Sequence, residues 1–195
     1  MFSTVVSAAL QGLDVEFIDV EADLSNGLPM FHMVGYLSSE VREAGERVRT
    51  AIRNSDFVLP AKKIVVNLSP ADVRKRGTAF DLPIAVAILA SLGLIRQEKL
   101  ENLIFVGELS LDGRVRSVPG ILPIVLEAKR QRYKACIISK ENESEGALAE
   151  GMHVFGAETL KEVCAFLNGE LSLREKRESA SKVGIRQSSE YALDY

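Results

Sequence analysis

The sequence predicts an α/β (α+β) fold, a mixed sheet with helices packed on it. Three stretches predict it. Lys63 to Leu94, KIVVNLSPADVRKRGTAFDLPIAVAILASLGL, reads as an apolar strand, a basic loop and a helix too apolar to lie on a surface. The N-terminal third alternates apolar and polar residues with the period of two expected of strands. Beyond Leu103, short apolar runs of strand length take turns with helical segments.

The 195 residues suffice for one sizeable core or two small ones. With 47% hydrophobic and 26% charged residues, the composition is that of an ordinary globular protein. A net charge of −3 excludes a polycation that coats nucleic acid, so any such contact must come from a local patch. Cys136 and Cys164 show no C-x-x-C spacing and no signal peptide precedes them, so they are expected to be reduced core thiols of a cytoplasmic protein. No apolar run reaches the ~18 residues of a membrane span, and no membrane partner is expected. The longest run, Leu82 to Leu94, is a buried helix by length.

Ser3 to Leu10 is the first expected strand. After Gly12, Val15 and Phe17 are apolar, and then the phase flips to Ile18, Val20, Ala22 and Leu24. A strand cannot do this without a bulge or a change of buried face, and the expectation here is a bulge or sharp bend at Phe17-Ile18. Asn26-Gly27 marks a turn and Phe31 to Val34 a third strand. Ser38 or Ser39 is the expected cap of the first helix, with Glu40 and Glu43 near its positive end. Val41, Ala44, Val48, Ala51 and Ile52 form its apolar face, Arg42, Arg49 and Arg53 lie opposite, and Glu43 pairs with Arg47. Asn54-Ser55-Asp56 ends it. Ile64 to Leu68 reads as a central strand and Leu103 to Val106 as another. Leu111-Asp112-Gly113-Arg114 is a hairpin turn. A helix follows Pro119-Gly120 to about Arg130. Ala135 to Ser139 is a strand, Glu141 to Glu150 a helix stopped by Gly151, and His153 to Phe155 a short strand. Thr159 and Glu162 form a capping box for a last helix that Gly169 stops. The chain therefore divides into a folded domain over residues 1–169 and a charged, Ser-rich linker over 170–195.

The apolar helix after the basic loop starts at Thr78 or Asp81. A cap at Asp81 puts Pro83 at the second helical position, where its missing N–H costs nothing, so the proline favours Asp81. The amides there, with Arg74, Lys75 and Arg76 beside them, make an anion site plausible. A solvated turn with three charges is the plainer alternative, and Asp81 itself already fills the positive end.

Three segments resemble the proteolytic domain of Lon protease, which has the ribosomal protein S5 domain 2-like fold. They are the strand, loop and helix above, Phe105-Val-Gly-Glu-Leu-Ser-Leu-Asp-Gly-Arg-Val-Arg-Ser-Val-Pro-Gly120, and Cys136-Ile-Ile-Ser-Lys-Glu-Asn142. Ser25 to Gly35, Ala44 to Ser55 and Asn67 to Ala85 resemble the magnesium-chelatase-related family called ComM or YifB, over Met1 to about Gly169. Asp56 stands where that family usually has glycine, and Arg76 where glutamate is common. The Lon resemblance carries its serine onto Ala79 and its lysine onto Leu122. A methyl group cannot attack a carbonyl and an isobutyl group cannot accept a proton, so both halves of a Ser/Lys dyad are missing.

Other chemistry has little to stand on. His32 and His153 are isolated, no cluster has zinc spacing, and no metal site is expected. Glu108 and Asp112 flank a hairpin and read as turn and surface residues. No G-x-G-x-x-G and no G-x-x-x-x-G-K-[ST] occurs. No cofactor is expected in this chain, and porphyrin metallation has no support in it. The resemblance implies an AAA+ ATPase module, using ATP and magnesium, after the linker. It further implies a hexameric helicase that promotes DNA branch migration in natural transformation. This domain would be its non-catalytic accessory part, contacting DNA, neighbouring subunits or both. Lys62, Lys63, Arg74, Lys75 and Arg76 are the expected DNA contacts. The alternatives are a divergent serine peptidase using Thr78, Ser69 or Ser117, which requires a lysine amine at one of those hydroxyls, and a purely structural oligomerisation domain.

Overall fold

The computed structural model describes residues 1–173. Its elements, in chain order, are β1 (Phe2–Gln11), β2 (Asp14–Ser25), β3 (Met30–Val34), α1 (Ser39–Arg42), α2 (Ala44–Asn54), β4 (Lys63–Ser69) and α3 (Asp81–Ser91). A 3-10 turn at Gln97–Leu100 leads to β5 (Leu103–Phe105), β6 (Glu108–Leu109), β7 (Val115–Arg116), α4 (Ile121–Arg130) and β8 (Ala135–Ser139). A second 3-10 turn, Lys140–Asn142, precedes α5 (Glu143–Ala147), β9 (His153–Ala157) and α6 (Leu160–Leu167). The linker expected over 170–195 lies, from residue 174 on, outside the described residues.

Seven strands form one mixed sheet in the order β3-β4-β2-β1-β5-β8-β9, and β6 and β7 form a separate hairpin. β2 runs antiparallel to both β1 and β4. The pairs β3–β4, β1–β5, β5–β8 and β8–β9 are parallel. β1, β4, β5 and β8 therefore begin at one end of the sheet and finish at the other.

The bulge expected at Phe17-Ile18 is absent. β1 and β2 pair residue for residue from Phe2↔Asp23 to Gln11↔Asp14. The phase flip is instead a change of buried face, because helices cover both sides of the sheet here. Val15 and Phe17 pack into a smaller apolar cluster with Ile121, Ile124, Val125 and Ala128 of α4. Ile18, Val20 and Ala22 point the other way, into the main core with α2, α3 and α6. A strand covered on both faces at its middle can make either set of alternate residues apolar.

Every residue of α3 is buried, as its lack of a polar face requires. Polar groups at the helix are satisfied: Ser3 Oγ of β1 donates to the Ala87 carbonyl at 2.5 Å, and Ser91 Oγ to the Ile88 carbonyl at 2.7 Å. The expected first helix is split. Ser38 is the cap, its Oγ accepting from the Val41 amide at 3.3 Å, and the axis breaks at Glu43 between α1 and α2. Val41, Ala44, Val48, Ala51 and Ile52 are all buried. The helix expected over Glu141 to Glu150 is shorter. Asn142 is tied to the Val118 amide at 2.9 Å and to its carbonyl at 3.1 Å, which holds the first turn in 3-10 form.

Two backbone positions decide local form. Gly35 has φ 132°, and a Cβ there would stand 2.7 Å from the Leu68 carbonyl oxygen. Asp56, after α2, has φ 68°, the left-handed region where glycine is favoured.

Cys136 and Cys164 are both buried and unbridged. Burial pushes the Cys136 thiol up to about 12 and raises Cys164 as well. Titration with a thiol-reactive disulfide near pH 8 is expected to label neither cysteine in the native protein and both after denaturation. Fast labelling of Cys136 in the native state would contradict this packing.

Candidate functional site

The basic loop leaves β4 at Ser69 and returns to α3 at Asp81. Midway it is stitched to the segment after β3. Lys75 pairs in parallel with Leu37, its amide donating to the Tyr36 carbonyl at 2.8 Å and its carbonyl accepting from the Ser38 amide at 2.9 Å. This extended pairing turns neighbouring side chains to opposite sides. Lys75 points inward, with no exposed surface, and its Nζ donates to the Pro70 carbonyl. Desolvation pulls its pKa down and Asp72 partly restores it.

Lys75 is therefore corrected: it is a structural peg, not a surface cation. Arg74 and Arg76 are exposed on either side of it. The Arg74 guanidinium lies 5.9 Å from the centre of the Tyr36 ring, and Gln11 Nε2 donates to the Arg74 carbonyl at 3.0 Å. Lys62 and Lys63 do not join them. They stand at the start of β4, and Lys63 pairs with Ser25, whereas Arg74 sits beside Gln11 at the far end of β1.

The start of α3 is not an open anion site. The cap residue is Phe80, and Asp81 is the first helical residue with Pro83 the third. The Asp81 amide donates to Thr78 at 3.2 Å, the Leu82 amide to Gly107 at 3.0 Å and the Ile84 amide to Phe80 at 3.0 Å. Pro83 has no N–H to offer, so all four leading positions are accounted for.

Asp81, expected as a cap, instead holds a charge network. Its carboxylate is completely buried. Arg47 Nε donates to Oδ2 at 2.8 Å and Nη2 to Oδ1 at 3.0 Å, a two-pronged contact. Arg47 Nη2 also reaches the Glu40 carbonyl at 2.9 Å, and the Leu109 amide donates to Asp81 Oδ2 at 3.1 Å. The expected Glu43–Arg47 pair exists but is looser, at 3.9 Å. Burial raises the Asp81 pKa, while Arg47 and the Leu109 amide pull it back and Glu108 adds repulsion. The hydrogen bond to Asp81 raises Arg47 in turn.

The two dyad positions are apolar and structural. Ala79 and Leu122 both pack against the smaller cluster, the Ala79 carbonyl accepts from the Gly107 amide at 2.9 Å, and the Leu122 amide donates to Glu145 Oε2 at 3.1 Å. Thr78 Oγ1 donates to Glu108 Oε1 at 3.0 Å, so Glu108 is more than a surface residue. The Ser117 amide donates to Glu141 at 2.8 Å. Asp112 accepts from Ser110 Oγ at 2.5 Å and the Arg114 amide at 3.2 Å, as a turn residue should. Sequence reasoning missed the Arg47–Asp81 pair. Its signal was present: one carboxylate heads an otherwise apolar helix, and such a group needs a cation.

The geometry defines a class, a mixed-sheet α/β domain whose central loop is built into the core. Residues 20–142 match the family model described as subunit ChlI of Mg-chelatase. The chain is 40% identical over 190 residues to competence protein ComM of Haemophilus influenzae, covering 97% of this chain and 37% of that protein. It is 43% identical over 175 residues to the uncharacterized protein YifB of Escherichia coli, covering 90% and 34%. A Lon protease of Amoebophilus asiaticus is 31% identical over 141 residues, covering 69% of this chain and 17% of the protease. The chain belongs to the magnesium-chelatase-related family that includes ComM and YifB. It spans about a third of the length of these two relatives.

Removing the Asp81 carboxylate leaves Arg47, only 21% exposed, with the looser Glu43 as its remaining counter-ion. Asp81→Ala is expected to cost about 3 kcal/mol in urea denaturation, and Asp81→Asn less, because breaking a mostly buried pair strands the surviving charge. The pKa direction sets a second test. A carboxyl raised in the folded state contributes stability below its unfolded value of about 4 and loses it as pH rises through the folded value. The unfolding free energy of the natural chain minus that of Asp81→Asn should thus fall as pH rises above about 4. A rise would mean that Arg47 outweighs burial.

Proposed function

We propose that this chain is the non-catalytic accessory domain of a longer AAA+ ATPase, where it supports DNA binding and assembly of a hexamer. The relatives are nearly three times as long as the segment matched, which leaves room for a module that uses ATP and magnesium. The Haemophilus relative is called a competence protein, and DNA branch migration during natural transformation is the process proposed. The proposed setting is the cytoplasm.

One observation carries this reading. The loop that would hold a nucleophile in a Lon-like peptidase presents Ala79 to a core and holds Lys75 inside, while Arg74 and Arg76 face solvent. Such a loop has no nucleophile at that position and turns two arginines, with Asp72 nearby, to solvent. A divergent peptidase built on Thr78 would need a lysine at that hydroxyl, and the hydroxyl donates to Glu108 instead. A purely structural oligomerisation domain would show no salt-dependent DNA affinity.

DNA binding by the chain across a salt series tests the proposal. The logarithm of affinity should fall by about 0.9 per logarithm of salt for each phosphate contacted. Arg74→Ala with Arg76→Ala should weaken binding and flatten that slope by about 2. Undetectable binding by the natural chain at low salt would remove the DNA part of the proposal.

A further inference from the structure

A second cationic surface lies at the opposite end of the sheet, built from elements far apart in sequence. Lys62 and Lys63 open β4 at the level of Ser25. Arg96 caps the 3-10 turn before β5 and Lys99 lies within it, and Gln97 anchors that turn to Thr4 of β1 through hydrogen bonds of 3.0 and 2.9 Å. Arg132 and Lys134 lie between α4 and β8, where the Lys134 amide donates to the Asn102 carbonyl at 2.7 Å. Because β4, β1, β5 and β8 all begin at this end, the fold gathers these groups along one rim. From β4 to β8 the rim crosses four inter-strand steps, about 19 Å at normal strand spacing.

The cations are available. Lys62, Lys99, Arg132 and Lys134 are exposed, and Lys63 is half-buried. Glu98 holds Arg96 and Glu127 holds Arg130, but Lys62, Lys63, Lys99, Arg132 and Lys134 form no ion pair among the described residues. Arg96, Lys99 and Lys134 line one open depression with Glu98, Glu101 and Leu103. The negative end of α4 accounts for Lys129 and Arg130 in its last turn, but not for cations on three other segments. Arg132 also has φ 69°, the left-handed position after a helix where glycine or asparagine is favoured. An arginine thus stands where a glycine would relieve the backbone.

We propose that this rim, formed by Lys62, Lys63, Arg96, Lys99, Arg132 and Lys134, is a second contact surface for the phosphate backbone of DNA, separate from Arg74 and Arg76. The inference rests on the DNA reading above and adds to it. Spaced cations along about 19 Å meet several phosphates, since duplex DNA presents one charge per ~1.7 Å of axis. The contact is to backbone, so it carries no base preference.

The test compares the natural chain with two multiple variants by fluorescence anisotropy on a labelled duplex over a salt series. The rim variant is Lys99→Gln, Arg132→Gln, Lys134→Gln, and the loop variant is Arg74→Ala, Arg76→Ala. The rim variant is expected to bind about tenfold more weakly at low salt, with a slope flatter by about 2.7, while circular dichroism stays unchanged. Arg132→Gly alone should weaken binding while raising the thermal midpoint, a combination that damage to the fold would not give. Loss of affinity in the loop variant with an unaffected rim variant would overturn the second surface and leave the DNA reading standing. Absence of binding by the natural chain would overturn both.

Discussion

Arg47 and Asp81 form the contact on which the rest of the domain depends. A carboxylate with no exposed surface at the head of an apolar helix is costly unless it is paired and hydrogen-bonded. Arg47 supplies two hydrogen bonds and the Leu109 amide a third. These bonds join α2, α3 and β6, and the Glu40 carbonyl brings in α1. One ion pair thus sets where the main helix begins, how α2 crosses it and where the β6–β7 hairpin docks. The loop between β4 and α3 has its far end fixed by the same contact. Its middle is held by Lys75 and its near end by β4.

That loop turns most of its polar groups inward. Each group that could have faced a ligand is used internally. The Lys75 amine caps the Pro70 carbonyl, the Thr78 hydroxyl meets Glu108, and the amides of Asp81 and Leu82 meet Thr78 and Gly107. The loop's exposed charged residues are Asp72, Arg74 and Arg76.

Elements with a strong local signal were legible in the sequence. The strand before the basic loop, the apolar helix, the helix after Pro119-Gly120 and the Thr159 cap were expected where they occur, because period, proline, glycine and capping residues act over a few positions. The long-range consequences were not. The phase flip at Phe17-Ile18 looked like a bulge because alternation reports which face is apolar, not how many faces are covered. Lys75 read as a surface cation because a charge triplet does not reveal that the extended pairing with Leu37 turns its middle member inward. Glu43 was an obvious partner for Arg47 at helical spacing, while Asp81, 34 residues away, required the tertiary fold. The rim at the start of β4, β5 and β8 was invisible for the same reason: its residues are scattered in sequence and meet only once the strand order is known.

α3 has a mechanical consequence beyond its share of the core. It is enclosed on every side, pressed on β1 and β2 and backed by α2 and α6. Close-packed interiors compress little and pass strain onward. The sheet beneath it runs from the rim at one end to Gln11 and Arg74 at the other. A helix with no free side cannot bend away from the strands it covers, so the sheet and α3 act together as a stiff beam. A force applied where Lys62 or Lys134 stands would reach Arg74 and Arg76 as displacement of the whole body, with its direction set by the strands.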